Sequence, residues 1–408
     1  MLHRFNHILR EEYRHISPVF VPSIALFLFF LGWGVIGPFF TINAKQILVT
    51  PFLVGVFTSL WGVIRFVTDF FVGSFVDISD AKKLVTISFF GYVLVGFGYY
   101  FIDTPLLLLA WRVVHSLFGS VLWVGLWGYL HKTIPSQYRD EDLTFQSIAR
   151  TIPSIFAPFL GAIIFTLSNP KNVFLVMALF STFAGIIFLF RAKPARSVRA
   201  VTVNTIIQRN VSMIRSFRTR FAFVGLMLLG VFLISGAYGT FIPIFLFDAG
   251  FSSIIIALVA VVQSIPIFFA LPVSRYADKI GRKPVLWWGI ILLITALLAL
   301  SASSSLAGIL GSVLLLGFAF AIITPTANAL VGDMAVDGEQ GVIAGMGEMF
   351  KDLGALSGPF LGGLIISQFN FSALLMILAV VAGLLLVITF RFHEQKIPLN
   401  LSLGLAKK

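Results

Sequence analysis

Apolar blocks of about 20 residues recur along this chain, and each is long enough for a helix to cross a hydrocarbon layer roughly 30 Å thick. Only 11% of the residues are charged, against roughly 25% in soluble globular domains. The mean hydropathy of +1.00 agrees with this pattern. We therefore expect an all-α protein whose solvent is lipid.

Turn signals between the blocks divide the chain into twelve spans, six on each side of a basic loop at residues 191–220. This division predicts an N-terminal six-helix bundle over 1–190, and a C-terminal six-helix bundle with a short cytoplasmic tail over 221–408. The first span is expected to be uncleaved. The predicted spans are 19–41, 52–75, 84–102, 105–130, 144–167, 172–190, 221–247, 251–275, 284–302, 305–331, 341–368 and 370–391.

The basic residues are distributed unevenly between the two sides of the predicted bundle. With the N-terminus in the cytoplasm, 23 of the 29 Lys and Arg are cytoplasmic, and only Lys45 and Lys171 are external. The positive-inside rule then predicts a multi-pass protein of the cell membrane, plasma or inner, with both termini cytoplasmic. Topology thus accounts for the net charge of +12, and no nucleic-acid partner is expected.

The basic loop at 191–220 holds eight basic and no acidic residues. Its stretch 201–217 is amphipathic and is predicted to be a helix on the membrane surface. Contact with anionic lipid explains the charge, and a regulatory partner is the alternative.

The two halves of the sequence repeat each other at an offset of 201 residues. The offset aligns Asp77 with Asp278, Arg150 with Lys351, and the P-F-L-G run that ends at Gly161 with its copy in the second half. Such a duplication predicts parallel repeats about an axis along the membrane normal, with a cavity between them near the midplane.

The loop after the eighth predicted span, residues 274–283, reads S-R-Y-A-D-K-I-G-R-K. It is similar to the G-x-x-x-D-K/R-x-G-R-K pattern of the major facilitator superfamily, and residues 73–83 keep a weaker copy. The resemblance implies that the two loops latch a gate. The candidate latch residues are Gly73, Asp77, Asp278, Lys279, Gly281, Arg282 and Lys283.

Two further motifs carry the same resemblance. Arg112 opens a segment similar to the superfamily's R-x-x-Q-G-x-G-x-G motif, which is associated with proton coupling. Residues 354–363 match the pattern of antiporters, although here it lies in the eleventh span and only a weaker copy, 153–162, lies in the fifth. The resemblance covers nearly the whole chain and implies twelve transmembrane helices in two pseudo-symmetric six-helix bundles, most like the drug:proton antiporter branch.

Several ionisable residues lie inside the predicted spans, where a charge costs at least about 2.5 kcal/mol and so usually faces a partner or an ion path. Arg65 and Asp69 share one face of the second span, and Glu348, Lys351 and Asp352 share one face of the eleventh. At a rise of about 1.5 Å per residue the two sets lie at similar depths.

In the family that the chain resembles, the second and eleventh spans face each other across the two halves. We therefore expect Arg65 to pair with Asp352 or Glu348, and Asp69 to pair with Lys351, which would close the cytoplasmic side. Protonation of either C-terminal acid would free the halves to rock. The alternative is a static ion pair within each half.

Arg112 and Arg150 have no acid nearby in their own spans, and an Arg side chain does not deprotonate. We expect each to meet an anion, either a carboxylate such as Asp69 or an anionic group of a substrate. His115, one turn from Arg112, either titrates near neutrality or is a packing residue.

Aromatic and amide side chains occur where the superfamily lines its cavity, and they favour an amphipathic or aromatic substrate. The candidate cavity residues are Trp33, Asn43, His115, Trp123, Trp127, Arg150, Tyr238, Phe241, Gln263 and Asn328.

The sequence contains no cysteine, no phosphate-binding glycine loop and no H-E-x-x-H motif. We therefore predict no cofactor, no metal and no enzymatic activity. The predicted function is a proton-coupled secondary active transporter with a rocker-switch mechanism, which exports amphipathic or hydrophobic molecules such as drugs. Its expected partners are a small-molecule substrate, protons and the bilayer, and a monomer suffices. The alternatives are a proton-coupled importer of a small organic anion, a lipid or lysolipid translocator, and a transport-inactive sensor.

Overall fold

The computed structural model describes residues 2–133, 139–195, 218–333 and 340–391, and all regular structure within these ranges is helical. The amphipathic stretch predicted at 201–217 lies outside the described residues. The helices are α1 Leu2–Leu48, α2 Pro51–Ile78, α3 Ala81–Phe101, α4 Pro105–Thr133, α5 Arg139–Leu167, α6 Asn172–Arg191, α7 Arg218–Asp248, α8 Ser253–Ser264, a 3₁₀ segment Ile265–Phe269, α9 Ala270–Ile280, α10 Arg282–Ala302, α11 Leu306–Asp333, α12 Gln340–Gln368 and α13 Phe371–Arg391.

Eleven of the described helices are long and apolar enough to cross a membrane, and α8 with α9 supplies a twelfth span. The predicted all-α membrane fold is therefore confirmed. The first span is longer than predicted, because α1 continues to Leu48 instead of ending near residue 41. The eighth span was predicted to be continuous and is instead bent by 47°. The bend lies between Phe269 and Pro272, and Pro272 has no N–H to continue the α-helical bonding.

Each half is organised around an equivalent pair of helices, α1 with α5 in the first half and α7 with α12 in the second. Gly161 of α5 lies against the backbone of Val35, and its repeat equivalent, Gly362 of α12, lies against Phe241 and Ala237. The sequence repeat is therefore also a repeat of packing.

The halves meet along α2 and α12, and along α5 and α8. A stripe of small residues lets α2 and α12 touch at the main chain. A Cβ atom added to Gly62 would lie 3.0 Å from the Asp352 carbonyl oxygen, and one added to Gly363 would lie 2.6 Å from that of Pro51. Ser59 donates a hydrogen bond of 2.6 Å to the Leu356 carbonyl oxygen. Lipid offers little hydrophobic drive between helices, so such close approach is the main source of their association.

Contacts at one end of the bundle, which we call the closed end, join the halves where α1, α2, α5, α7 and α12 begin or end. Lys45 of α1 forms an ion pair with Asp248 of α7. The rings of Phe52 and Phe360 lie 5.7 Å apart, centroid to centroid. The ion pair is partly exposed and contributes at most about 1 kcal/mol, so helix packing contributes most of the stability of the closed end.

Toward the opposite end, which we call the open end, the same two helix faces separate. Phe66 follows Gly62 on the contact face of α2 and is 38% exposed, and Met349 precedes Asp352 on the contact face of α12 and is 46% exposed. The halves are therefore packed together from the closed end to about the level of Asp352, and lie apart beyond it.

We predict that Gly55→Leu loosens the closed end, because a side chain there would overlap the Pro359 carbonyl oxygen. The chain has no native cysteine, so Ser59→Cys, at a position 5% exposed, supplies a single thiol reporter. Because overpacking costs about 1–3 kcal/mol, we expect Gly55→Leu to raise the rate of maleimide labelling by about tenfold.

Gly383→Leu is the matched control, since a Cβ atom there meets nothing within 4 Å. An unchanged labelling rate in folded Gly55→Leu protein would contradict the importance of the stripe.

Candidate functional site

A cavity of about 480 Å³ lies between the halves and is lined by α1, α5, α7, α8 and α11. Its aromatic wall residues are Trp33, Phe232 and Phe320, and its polar wall residues are Ser154, Ser235, Gln263, Ser264 and Thr324. No charged side chain of the described residues lines it.

Two of the ten predicted cavity residues, Trp33 and Gln263, line this cavity. Tyr238 lies directly behind Gln263, with its hydroxyl 3.4 Å from the amide oxygen. Phe241 is buried against Gly362. Asn43 is buried and donates a 2.9 Å bond to the Phe39 carbonyl oxygen of its own helix. The five others that lie outside the wall are His115, Trp123, Trp127, Arg150 and Asn328.

A group of charges lies at the level where the halves separate. Arg65 of α2 forms an ion pair with Asp69 at 2.7 Å and reaches Asp352 of α12 at 3.8 Å. The side chains of Arg65 and Asp352 are only 19% and 15% exposed. Asp69 also accepts a hydrogen bond from the buried Ser120 of α4. The expected contact of Arg65 with Asp352 across the halves is therefore present.

The expected pair of Asp69 with Lys351 is absent from the described contacts, and that part of the prediction is wrong. Lys351 instead binds Glu348 at 2.6 Å, three residues away on its own helix, and Asp69 binds Arg65 and Ser120. Same-helix partners are always within reach, so they compete well with partners on another helix. The pair of Arg65 with Asp352 lies at the border of the closed region, where the two halves separate.

Arg112 lies in the core of the N-terminal half, 4% exposed, and no described carboxylate forms an ion pair with it. Its guanidinium donates to the Phe57 carbonyl oxygen at 3.2 Å and to His115 Nδ1 at 3.0 Å. The rings of Phe40, Phe57 and Trp61 lie 4.9–5.3 Å from the guanidinium carbon. Carbonyl and π-electron density thus replace the expected anion.

His115 connects Arg112 to the cavity wall. Its Nδ1 also lies 3.1 Å from the Tyr99 hydroxyl, and its ring lies 5.6 Å from that of Trp33. Because Arg112 has only donors, Nδ1 must be the unprotonated nitrogen, and His115 is a neutral packing partner here. Arg150 of α5 is half-buried, and within the described part of the chain it donates to the Gln146 carbonyl oxygen at 3.3 Å.

The candidate latch after the eighth span makes contacts within the C-terminal half. Gly281 has a φ of 97°, which favours glycine, and it ends α9. Lys283 donates a 3.1 Å bond to the Phe390 carbonyl oxygen near the end of α13, where a cation complements the helix dipole. Asp278 lies 3.6 Å from Arg282, and Lys279 is exposed. Gly73 and Asp77 belong to α2, but the surroundings of both residues lie outside the described part of the structure.

Three features of the site were missed at the sequence level. Phe232 separates Lys351 from the cavity, with the ammonium 5.8 Å from its ring centroid, but nothing distinguishes it among 45 Phe. No feature of the sequence indicated that Ser120 would be the partner of Asp69 either. The pair of Lys45 with Asp248 could have been predicted, because opposite charges end the first and seventh spans, which are equivalent in the repeat.

We predict that cysteines at positions 65 and 352 are joined by a short bifunctional thiol reagent, because the two side chains meet across the halves. Cysteines at 69 and 351 are the matched pair at the same depth and should be joined at least about tenfold less, since their side chains bind partners on their own sides. Gel mobility after protease cleavage in the central loop measures the link. Equal yields from both pairs would contradict the geometry.

Solved structures with the same architecture include three transporters. The nucleoside transporter NupG is 18% identical, with a TM-score of 0.77 over 92% of this chain and 100% of that chain. A bacterial homologue of the human lysosomal transporter Spinster, inward-facing and unoccupied, is 12% identical, with a TM-score of 0.77 over 91% of this chain and 95% of its own. The human organic anion transporter MFSD10 is 14% identical, with a TM-score of 0.68 over 92% and 99%.

At these identities the likeness concerns the fold. The sequence model of the Major Facilitator Superfamily matches residues 23–269 and 254–403, which is nearly the whole chain. This protein belongs to the Major Facilitator Superfamily.

Proposed function

We propose that this protein is a proton-coupled secondary active transporter that exports uncharged or amphipathic small molecules by alternating access. The observation that carries the proposal is an uncharged cavity between two halves that are closed at one end, with an ion pair of Asp352 and Arg65 at the border of the closed region.

The direction of opening follows from the charge distribution of the sequence. The loops at the open end carry most of the basic residues, so the positive-inside rule places that end in the cytoplasm. On this assignment both termini are cytoplasmic and the conformation faces inward. The bacterial Spinster homologue, which has the same fold, is also described as inward-facing. An exporter loads its substrate in this conformation.

The cavity wall favours an uncharged or amphipathic substrate over a small organic anion. Its volume lies within the roughly 300–1,000 Å³ typical of small-molecule sites. Arg112 and Arg150, the cations that would hold an anion, both lie outside the wall. Trp33, Phe232 and Phe320 offer flat surfaces for an aromatic or lipophilic group.

Coupling is assigned to Asp352. When ionised, this carboxylate holds Arg65 of the opposite half and keeps the empty carrier in the conformation closed to the outside. A proton on Asp352 removes the attraction and lets the halves rock. Glu348 is 61% exposed toward the open end and lies one turn away, so it gives protons a route to the cytoplasm.

Substrate acts on the same lock, the ion pair of Arg65 with Asp352, through Phe232. Phe232 lines the cavity, and the Lys351 ammonium lies 5.8 Å from its ring centroid. A substrate that displaces Phe232 therefore shifts the cation next to Asp352. Substrate and proton therefore act on the same ion pair, and this shared control is the basis on which we propose that their movements are coupled.

We predict that Asp352→Asn uncouples transport. In proteoliposomes with an imposed pH gradient, a panel of lipophilic cations and uncharged aromatic compounds should include substrates that collapse the gradient with wild-type protein. Because site-to-site coupling is typically worth about 1–3 kcal/mol, Asp352→Asn should reduce this proton movement by about tenfold or more while substrate equilibration continues.

Asp103→Asn is the matched control, since Asp103 is a surface carboxylate, 76% exposed, that pairs with Lys171 at the closed end. Full coupling in Asp352→Asn would remove Asp352 from the mechanism. No proton movement with any compound would instead favour a lipid translocator or a transport-inactive sensor.

A further inference from the structure

Tyr238 is fully buried on α7 and needs an acceptor for its hydroxyl hydrogen. A buried donor left unpaired costs about 1–3 kcal/mol. Within the described residues its hydrogen-bond partner is the side-chain amide oxygen of Gln263, at 3.4 Å. The oxygen of the Gln263 amide therefore faces Tyr238.

With its oxygen turned toward Tyr238, Gln263 presents its amide nitrogen to the cavity. This nitrogen carries two N–H donors and no acceptor. No described residue accepts a hydrogen bond from this nitrogen, and it is not a buried atom left without a partner. It is therefore open to the cavity that Gln263 lines. The cavity wall thus holds a fixed group that can only donate.

The other polar groups of the wall do not offer a fixed donor. Ser154 and Ser264 donate their hydrogens to the Thr151 and Ala260 carbonyl oxygens of their own helices, at 2.7 and 2.9 Å. Ser235 and Thr324 carry hydroxyls that rotate to suit either a donor or an acceptor. Gln263 is therefore the polar group of the wall that the protein fixes as a donor, whereas the oxygens of Ser154 and Ser264 are left as acceptors.

The backbone holds Gln263 in place as well. It lies in the last turn of α8, directly before the 3₁₀ break. A Cβ atom added to Gly317 of α11 would overlap the Gln263 carbonyl oxygen, so the two main chains are in contact there. Trp33 and Phe320 supply apolar aromatic surface in the same cavity.

We infer that the cavity selects uncharged aromatic compounds that carry a hydrogen-bond acceptor, that Gln263 recognises the acceptor, and that Tyr238 positions Gln263. This inference rests on the proposed function, because it names the substrate class of the same cavity. A compound of equal shape without the acceptor leaves the Gln263 donor unpaired and binds more weakly.

The test compares 9-fluorenone with fluorene, two uncharged tricyclic compounds that differ by one carbonyl acceptor. Equilibrium dialysis against full-length protein in lipid nanodiscs, corrected with empty nanodiscs, gives the ratio of the two affinities. One hydrogen bond predicts a preference of wild type for 9-fluorenone of about tenfold. Gln263→Leu should reduce the ratio to about one, and Tyr238→Phe should reduce it partly while fluorene affinity stays the same.

Tyr129→Phe is the matched control, because Tyr129 is equally buried but lies in the N-terminal half and bonds the Lys193 backbone. A wild-type ratio near one, a ratio that survives Gln263→Leu, or no binding of either compound would each overturn the inference. Proton-coupled transport is measured separately, so it can persist when this inference fails. Loss of proton-coupled transport with an intact binding ratio would reject only the proposed coupling.

Discussion

The main-chain contact between α2 and α12 is the interaction on which the rest of the arrangement depends. Gly55, Gly62 and Gly363 let two helices from different halves touch at the backbone, and the contact ends where the helices reach Arg65 and Asp352. Between the closed end and that level the halves are packed together, and between that level and the open end they enclose an opening. A charge pair at such a border acts on the whole interface, because its loss weakens the last contact before the gap.

The charged and uncharged parts of the molecule are kept apart by aromatic rings. Trp33 packs against His115, the neutral neighbour of Arg112, and Phe232 lies beside Lys351. Arg112 is held by a carbonyl oxygen, an imidazole and three rings, so the core of the N-terminal half holds a cation without an ion-pair partner among the described residues. In the proposed mechanism, a substrate in the cavity and a proton on Asp352 therefore act on one interface from two separate positions.

The fold was predictable because charge in lipid is expensive, which explains the apolar blocks and the basic loops, and because the repeat marks a duplication of the six-span half. The contact of Arg65 with an acid of the eleventh span was predictable, because helix rise sets depth and the family resemblance implied that the second and eleventh spans face each other; the choice of Asp352 over Glu348 was left open. The partners of Asp69 and Lys351 were not, since depth alone does not choose between a same-helix and a cross-helix partner. The wall positions of Phe232 and Phe320 depend on helix rotation, which a uniformly apolar span does not reveal. The bend in the eighth span was not predicted, because the local effect of Pro272 had to be weighed against an unbroken hydropathy pattern.

The central claim is that the halves rock about this interface under the control of Asp352, and paired spin-label distances test it directly in the cysteine-free chain. Labels at Gln46 and Ala249 report on the closed end, and labels at Lys83 and Ile280 report on the open end; all four positions are exposed. On acidification, and at any pH in Asp352→Asn, the first distance should lengthen while the second shortens. Distances that change in the same direction, or that respond neither to pH nor to Asp352, would contradict the account.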